Sequence, residues 1–421
     1  MPRALIAGGS LAGLAAANLL ARRGFDVDVF ERTETSLEGR GAGIVTHPEL
    51  LDGLEACGAR VDQTVGVYVP GRVTYARDGS VVGTRDAPQI LTSWQRLYWL
   101  LREPLPDARY HLGRRLERVE QTAGSVIAHF SDGSRETGDL LVGADGIRSQ
   151  VRAQLLPSAV PQYAGYVAWR GLTAEASLSD AAREALFCKF AFCLPESEQM
   201  LGYPVAGPRN SVAPGTRAFN FVWYRPVDER ETLPRMLTDA SGRRHDAGIP
   251  PHLIDRKWID AMYADADRLL SPQFAEVVRK ADQPFFQPIF DLVSPRLAFG
   301  RVALIGDAAF VARPHVGMGV AKAVSDALAL ADSVSAAWSD GRGIEAGLRD
   351  YEALRRPSGV AVVDRARQLG AYMQAQLSTP EQRAAAARYR TPESVMAETA
   401  LHADYWTNPE RRRLPAWAGL A

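Results

Sequence analysis

The sequence predicts an α/β fold in which a Rossmann-like domain, with a parallel sheet in a three-layer arrangement, is interleaved with a second domain built on an antiparallel sheet. Three observations predict it. A glycine-rich turn at residues 8–13 stands between an apolar run and a helical repeat. Aromatic, strand-like runs fill the middle of the chain, and a buried strand at residues 302–305 then leads into another glycine-containing turn.

Composition limits the possible partners. With 421 residues the chain can form two to three domains. Lys plus Arg and Asp plus Glu both total 49, so a formal net charge of zero argues against recruitment of nucleic acid or of an anionic membrane. The 3 cysteines form neither a disulfide framework nor a zinc-like pattern, so no metal is expected. No export signal and no long apolar stretch is evident, and we expect a soluble, cytoplasmic protein.

The first element is a strand, turn and helix. Residues 4–7 are apolar, and the turn Gly8-Gly9-Ser10-Leu11-Ala12-Gly13 leads into leucines at helical spacing. Such glycines let backbone amides approach a pyrophosphate at a helix N-terminus. Glu31 follows the second strand and suits a ribose hydroxyl pair. Ser10 stands where the G-x-G-x-x-G pattern has its middle glycine, and its side chain leaves the pyrophosphate less room to approach the backbone. An ordinary glycine-rich turn is the alternative, but strand, helix and acidic residue together favour a nucleotide.

The next elements predict the link to the second domain. The loop at residues 39–44 is glycine-rich, which indicates either a tight connection or backbone lying against a flat ring. A short helix is predicted over residues 48–58, with His47 just before it. Asp78-Gly79 and Asp132-Gly133 predict hairpins, and a helix is predicted over residues 93–101. The strand at 140–142 then ends in Gly143-Ala144-Asp145-Gly146.

The middle and end of the chain complete the predicted organisation. Strands are predicted at residues 166–170 and 219–224, followed by a helix-rich stretch to about residue 280. We expect the first domain to comprise residues 1–75, 97–160 and 281–340, and the second to comprise 76–96 and 161–280. Residues 341–421 would form a C-terminal helical region, helical to about residue 390, with an irregular tail that packs over the body or across a dimer.

The third glycine segment is Gly306-Asp307-Ala308-Ala309. Asp307 would carry a charge where a buried strand meets a helix, which is costly without a partner. A ribityl hydroxyl of a flavin could be that partner, and a simple helix cap is the alternative. Residues 317–321 open the following helix, and their amides could face the pyrimidine edge of a flavin.

In order and spacing, the three glycine segments resemble the nucleotide, Asp-Gly and Gly-Asp motifs of class A FAD-dependent aromatic monooxygenases, whose fold is that of para-hydroxybenzoate hydroxylase. The similarity spans about residues 1–370. Residues 43–50, 163–171, 203–204, 220–224 and 313–315 are most similar to the subgroup that hydroxylates 2,6-dihydroxypyridine. Two positions depart from the family pattern: Phe310-Val311 replaces His-Pro, and Ala321 replaces an asparagine.

The resemblance implies a set of FAD contacts. Glu31 would bind the adenosine ribose, Arg96 the pyrophosphate or ribityl side, and Asp307 the ribityl chain, while Asp145 and Gly146 would serve both FAD and NAD(P)H. The full expected set is Gly8, Ser10, Leu11, Ala12, Gly13, Glu31, Arg32, Arg40, Gly43, Ile44, Arg96, Asp145, Gly146, Asp307, Pro314, Gly317, Gly319, Val320 and Ala321. NADH or NADPH would reduce FAD, and oxygen would form a C4a-hydroperoxide that hydroxylates the substrate ring.

The substrate would be a small hydroxylated aromatic or N-heteroaromatic ring. His47, His315 and Tyr203 are the candidate catalytic residues, because a base near neutral pKa would activate a ring hydroxyl. Histidines at such places are more often capping or packing residues. We expect His47, Tyr203, Phe221, Trp223, Tyr224 and Pro314 at the substrate, although the aromatic residues could instead fill the core. Arg170 is expected to be a structural ion-pair partner.

Two alternatives remain open at this point. The same chemistry could act on a phenolic, salicylate-like or polyketide substrate. In a different class, the chain would bind FAD without oxygenase activity and serve as an interaction module, because the usual His-Pro and asparagine are replaced. A homodimer is possible, and the choice between NADH and NADPH is not predicted.

Overall fold

The computed structural model of the protein describes residues 1–39, 43–246, 248–373, 377 and 379–419. Within these residues the strands form a six-stranded, a nine-stranded and a three-stranded sheet. The strands are β1 (Arg3–Ala7), β2 (Asp26–Phe30), β3 (Gly43–Val45), β4 (Val67–Tyr75), β5 (Val81–Ser93), β6 (Tyr110–His111), β7 (Leu116–Gln121), β8 (Val126–Phe130), β9 (Arg135–Gly138), β10 (Leu140–Gly143), β11 (Gln162–Ala174), β12 (Lys189–Cys193), β13 (Gln199–Val205), β14 (Ala218–Pro226), β15 (Phe285–Val293), β16 (Ala298–Phe299), β17 (Val302–Leu304) and β18 (Phe310–Val311).

The α-helices of the described residues occur in all three thirds of the chain, and the two longest lie in the last third. They are α1 (Leu11–Arg22), α2 (Pro48–Ala56), α3 (Trp94–Arg102), α4 (Gln150–Leu155), α5 (Asp180–Leu186), α6 (Thr232–Met236), α7 (Arg256–Leu269), α8 (Pro272–Arg279), α9 (Gly319–Ser339), α10 (Ile344–Leu369), α11 (Pro380–Tyr389) and α12 (Pro392–Glu398). None of these helices combines the length and apolar character needed to cross a membrane.

The six-stranded sheet has the order β16-β17-β10-β1-β2-β6, with parallel pairing throughout its centre. Side chains of β1 alternate between its two faces. Ile6 lies against Gly13 of α1, whereas Leu5 lies against Gly138 of β9. Helices therefore cover one face and the three-stranded sheet covers the other, which confirms the predicted three-layer, Rossmann-like architecture.

The nine-stranded sheet has the order β18-β15-β11-β14-β13-β12-β4-β5-β3 and is mainly antiparallel. One face packs on α5, α7 and α8 around a core that includes Trp169, Phe221 and Trp223. The other face packs on residues of the C-terminal helices, including Leu369 and Val395, and its Tyr203 and Tyr224 line a cavity. The expected boundary after residue 75 lies inside the β4–β5 hairpin, whose strands both belong to this sheet, so that boundary does not follow the sheets. The remaining boundaries stay predictions.

The C-terminal tail packs over the body of the same chain. Contrary to the irregular tail expected from residue 391 onward, α12 begins there, because the Thr391 side chain accepts a hydrogen bond from the Ser394 amide. This helix packs on β4 and β5. Beyond it, Arg411 pairs with Glu49 and Arg413 pairs with Asp52, on the exposed side of α2.

Candidate active site

A cavity of about 580 Å³ lies where the two large sheets meet, a volume typical of small-molecule sites. Elements distant in sequence line it: the turn before α1, the end of β10, the open face of the nine-stranded sheet, the start of α9 and the tail. Of the predicted residues, it is lined by Ser10, Leu11, Ala12, Gly43, Ile44, Gly146, Tyr203, Tyr224, Asp307, Pro314, Gly317, Gly319 and Val320.

The turn before α1 depends on its glycines. Gly8 has a φ of +107°, and a Cβ there would lie 2.3 Å from the Ala144 carbonyl oxygen. A Cβ on Gly13 would lie 1.9 Å from the Gly8 carbonyl oxygen. No larger residue fits either position without moving the backbone. Ser10 is the N-cap residue of α1, its side chain makes no capping hydrogen bond, and it lines the cavity.

Glu31 lies at the end of β2 beside this turn. Its carboxylate accepts hydrogen bonds from the Gly9 amide at 2.9 Å and the Thr33 amide at 3.0 Å. Tyr110, which the sequence analysis missed, donates its hydroxyl to the Gly9 carbonyl at 2.8 Å. Its ring occupies the space that a Cβ on Gly9 would need. Arg32 is exposed next to this group.

Asp145 lies beside the cavity, and its neighbour Gly146 lines it. The Asp145 carboxylate accepts hydrogen bonds from the amides of Gln150 at 2.7 Å and Val151 at 3.2 Å, which stabilises the start of α4. Its other oxygen, Oδ1, is buried without a hydrogen-bond partner among the described residues. Burial raises the pKa of this carboxyl, and the hydrogen bonds to it oppose the shift.

A buried ionic network that sequence reasoning did not identify holds the Gly306-Asp307 turn. Lys322 donates to the Gly306 carbonyl at 3.0 Å, and Asp326 accepts from the Gly306 amide at 3.2 Å. Arg355 donates to the same aspartate at 2.9 Å. Lys322 and Asp326 stand four residues apart on an otherwise apolar face of α9, and this spacing was the available signal.

The turn before α9 contacts His47. Gly317 has a φ of +66°, and its carbonyl accepts a hydrogen bond from His47 Nε2 at 3.0 Å. Burial lowers the pKa of His47 to about 4, so the ring is neutral near pH 7. His47 is not among the residues that line the cavity. In this structure the His47 side chain holds the Gly317 turn, and its predicted contact with substrate stays a prediction.

His315 is also placed differently from the prediction. It is 1% exposed, and both ring nitrogens are occupied: Nε2 accepts from the Tyr166 hydroxyl at 2.8 Å, and Nδ1 donates to Gln199 Oε1 at 3.1 Å. Burial lowers its pKa well below the usual value. The ring packs behind Tyr224, with 4.2 Å between ring centroids. It therefore supports the cavity wall and does not reach the cavity.

Strand register decides which aromatic residues face the cavity. Tyr203 pairs with Asn220 and Leu201 pairs with Val222, so these side chains share one face. Tyr224 lies on the same face, whereas Phe221 and Trp223 alternate to the other, where the helical core encloses them. Phe221 and Trp223, expected at the substrate, therefore lie on the face away from the cavity.

Gly43 explains part of the predicted glycine-rich loop. Its amide donates to Asn220 Oδ1 at 2.8 Å, and a Cβ at this position would lie 2.6 Å from both the Asn220 and Tyr203 side chains. The glycine thus lets β3 approach the cavity wall closely. Asn220 was missed as a site residue because it sits among aromatic strand residues. Arg40, an expected FAD contact, lies outside the described residues.

The polar groups in and beside the cavity fit FAD. Arg96 donates to Thr64 Oγ1 at 2.6 Å, but its buried Nε has no partner among the described residues. Asp145 Oδ1 also has no hydrogen-bond partner among the described residues. Ser10 and Asp307 both line the cavity. Ala321, in contrast, is 2% exposed and does not line it. No group of three or more potential metal ligands occurs among the described residues.

Comparison with known proteins agrees with this geometry. Residues 6–52 match an NAD(P)-binding Rossmann-like domain, residues 163–291 an FAD binding domain-like family, and residues 287–366 an FAD binding domain. These matches define a flavoprotein with a Rossmann-like core.

Individual relatives narrow the class. The 2,6-dihydroxypyridine 3-monooxygenase of Paenarthrobacter nicotinovorans is 32% identical over 88% of this chain and 91% of its own length. The 3-amino-4-hydroxybenzoate 2-monooxygenase of Streptomyces cremeus is 32% identical over 87% of this chain and 86% of its own. The structure of 2,6-dihydroxypyridine-3-hydroxylase from Arthrobacter nicotinovorans covers 90% of this chain and 95% of that chain with a TM-score of 0.82. The chain therefore belongs to the family of FAD-dependent aromatic-ring monooxygenases, which use NAD(P)H and oxygen.

Proposed function

We propose that this enzyme hydroxylates a small ring that carries hydroxyl groups, of the hydroxypyridine type. The observation that carries the proposal is the pair of phenol groups, Tyr203 and Tyr224, in the cavity wall. Burial raises the pKa of Tyr224 to about 12 and raises that of Tyr203 as well, so both remain protonated. No hydrogen bond joins either hydroxyl to another described residue, so both can serve ring oxygens or a ring nitrogen.

The rest of the cavity suits a flat, mostly apolar ligand. Phe190, Leu201, Val222, Phe285 and Ile289 line it together with Gln287. Such a wall excludes water and holds a ring in one orientation, which is what transfer of oxygen to a chosen carbon requires. The bound flavin supplies the reducing equivalents and the activation of oxygen. The chain's own residues bind the ring, orient it and keep the site dry.

The family resemblance supports the same substrate class. The relatives named above act on a dihydroxypyridine and on an aminohydroxybenzoate, both small rings with hydroxyl groups. We keep the phenolic, salicylate-like and polyketide substrates as the alternative within this chemistry. The interaction-module alternative loses its support, because these relatives are monooxygenases over nearly their full length.

A substrate screen tests the proposal. Purified enzyme loaded with FAD would be given NADH or NADPH together with a panel of hydroxypyridines, hydroxybenzoates and larger phenols. We expect a hydroxypyridine to accelerate NAD(P)H oxidation and to yield an equivalent amount of hydroxylated product by mass spectrometry. Acceleration by hydroxybenzoates or larger phenols alone would favour the alternative. NAD(P)H oxidation that produces only hydrogen peroxide with every hydroxypyridine would contradict the proposal.

Two further expectations accompany it. Consumption of NAD(P)H and the low cysteine content both suit a cytoplasmic enzyme. A homodimer stays a prediction, and sedimentation of the FAD-loaded enzyme would test it.

A further inference from the structure

Arg170 is a cationic side chain in the cavity wall without a protein counter-charge. It lies on β11, opposite Val222 of β14 and Phe285 of β15, and all three line the cavity. Its Nε is buried without a hydrogen-bond partner, and no hydrogen bond or ion pair joins its guanidinium to any described residue. The structural ion pair expected for Arg170 is therefore absent within the described part of the chain.

Three other arginines near this sheet each have a carboxylate partner. Arg313, which also lines the cavity, pairs with Asp291 at 2.8 Å. Arg217 pairs with Glu175 at 2.7 Å, and Arg225 pairs with Glu198 at 3.0 Å. A guanidinium partly withdrawn from water is stabilised by an anion close to it. None of the described residues supplies such an anion to Arg170, so a ligand bound in the cavity can supply it.

The surroundings favour a ring with an anionic oxygen. Tyr203 and Tyr224 lie close enough to Arg170 for its positive charge to lower their pKa values, against the larger effect of burial. The same field acts on any acidic group of a bound ring. In addition, neither His47 nor His315 reaches the cavity to take a proton from the ring. A ring hydroxyl that binds already ionised needs no such base.

We propose that Arg170 is a substrate-binding residue that pairs with an anionic oxygen of the ring substrate. This inference rests on the proposed function and adds the charge of the substrate to it. The anionic oxygen can belong to an ionised ring hydroxyl or to a carboxylate substituent. A planar guanidinium can bind either with two parallel hydrogen bonds.

Equilibrium binding tests the assignment without relying on turnover. FAD-loaded wild type, Arg170→Gln and Arg170→Lys would be titrated by calorimetry with matched pairs of rings. Dihydroxypyridine against diaminopyridine tests the ring oxygen, and para-hydroxybenzoate against para-hydroxybenzamide tests the carboxylate. Arg256→Gln is the matched control, because it removes an exposed arginine from α7, outside the cavity. Flavin content and thermal unfolding would show that each variant is folded.

We expect Arg170→Gln to weaken binding of the anionic member of at least one pair by about 10- to 100-fold, and to leave its neutral member within about twofold. Arg170→Lys should recover part of the loss, and Arg256→Gln should bind as wild type does. The ultraviolet spectrum of bound dihydroxypyridine should report the ionised ring in wild type and a shift toward the neutral ring in Arg170→Gln.

Equal losses for anionic and neutral rings, or no loss for any ring, would overturn the role of Arg170. If Arg170→Gln does not fold, the same comparison is made with Arg170→Lys, for which a loss confined to anionic rings is expected. Failure of the proposed function appears separately, as the absence of hydroxylated product from every hydroxypyridine in the wild-type screen.

Discussion

Tyr203 and Tyr224 are placed by strand register, and their surroundings differ. Tyr203 lies against Gly43 and packs at a tilt on Phe190, with 4.9 Å between ring centroids. Tyr224 is backed by His315, whose nitrogens are held by Tyr166 and Gln199. Each phenol is thus fixed by packing before any substrate arrives, so its hydroxyl can orient a ring at little entropic cost.

We expect Tyr203→Phe and Tyr224→Phe each to raise the KM for the ring substrate by about 2- to 10-fold, the effect of one neutral hydrogen bond. Hydrogen peroxide released per NAD(P)H should increase, because the ring is held less precisely. Steady-state kinetics and peroxide measurement check both. Tyr163→Phe is the control, because that hydroxyl bonds to the Val227 carbonyl away from the cavity. Unchanged kinetics in both cavity variants would exclude the phenols from substrate binding.

His47 makes stability depend on pH. Its pKa is about 4 in the folded chain because of burial, against about 6.5 when exposed. The unfolded chain therefore binds more protons between these values, so His47's contribution is complete above pH 6.5 and is lost as pH falls toward 4. Between pH 6.5 and pH 4 this residue lowers the free energy of unfolding by about 3 kcal/mol.

The corresponding experiment compares thermal unfolding of wild type and His47→Gln at pH 5 and pH 7.5. We expect a smaller difference between the two pH values in the variant, while His252→Gln, which changes an exposed histidine, should keep the wild-type difference. An identical pH difference in His47→Gln and wild type would show that His47 does not titrate as a buried residue.

At the scale of elements, the tail is held by a buried arginine. Arg72 of β4 is 0% exposed and donates to the carbonyls of Met396 at 3.0 Å and Thr399 at 2.7 Å, and to Gln89 at 2.5 Å. Gln89 in turn donates to the Ala400 carbonyl at 3.0 Å. Burial lowers the pKa of Arg72 to about 9. Because Thr399 and Ala400 line the cavity, Arg72 positions a part of its wall.

We expect Arg72→Met to lower the free energy of unfolding by about 2–4 kcal/mol, because buried carbonyls of the tail lose their hydrogen-bond donors. Hydrogen exchange should become faster at residues 391–400, and KM for the ring should rise more than kcat falls. Arg118→Met, on an exposed strand of the three-stranded sheet, is the control. Wild-type exchange in the tail of Arg72→Met would contradict this role.

At the scale of the molecule, the cavity lies between two sheets, and each sheet packs on its own hydrophobic core. A flavin bound by Ser10, Gly146, Asp307 and the Gly317 turn would contact residues from all three thirds of the chain. Binding to the folded state alone stabilises it by mass action, so the cofactor should act on the whole structure and not on one domain.

Removal of FAD should therefore lower the free energy of unfolding by about 2.7 kcal/mol, relative to enzyme with free FAD at a hundred times its Kd. Thermal unfolding at several FAD concentrations measures this. Gly8→Val should abolish the concentration dependence, because its side chain would collide with the Ala144 carbonyl. Gly124→Ala is the control, since nothing lies within 4 Å of its added methyl group. A Gly8→Val protein with wild-type FAD dependence would exclude this turn from the cofactor site.

The sequence predicted the nucleotide turn and the fold, because local spacing records a strand, a glycine turn and a helix in consecutive residues. Tyr203 and Tyr224, which it predicted at the substrate, line the cavity, and their contact with substrate stays a prediction. It did not separate them from Phe221 and Trp223, which face the helical core, because an unbroken aromatic run does not show which side of a strand faces which neighbour. The Lys322–Asp326–Arg355 network, the two enclosed histidines and the unpaired Arg170 depend on contacts between remote segments, which local patterns do not record.

The tail also dictates an order of events during synthesis. The ribosome makes Thr399 and Ala400 after every other part of the cavity, so a nascent chain can shape its nucleotide turn long before its ring chamber has a complete wall. A protease cut or a bulky fusion near residue 400 would likewise spoil the chamber while sparing that turn. We expect such a product to release more hydrogen peroxide per NAD(P)H than the intact enzyme does, because water would enter the cavity.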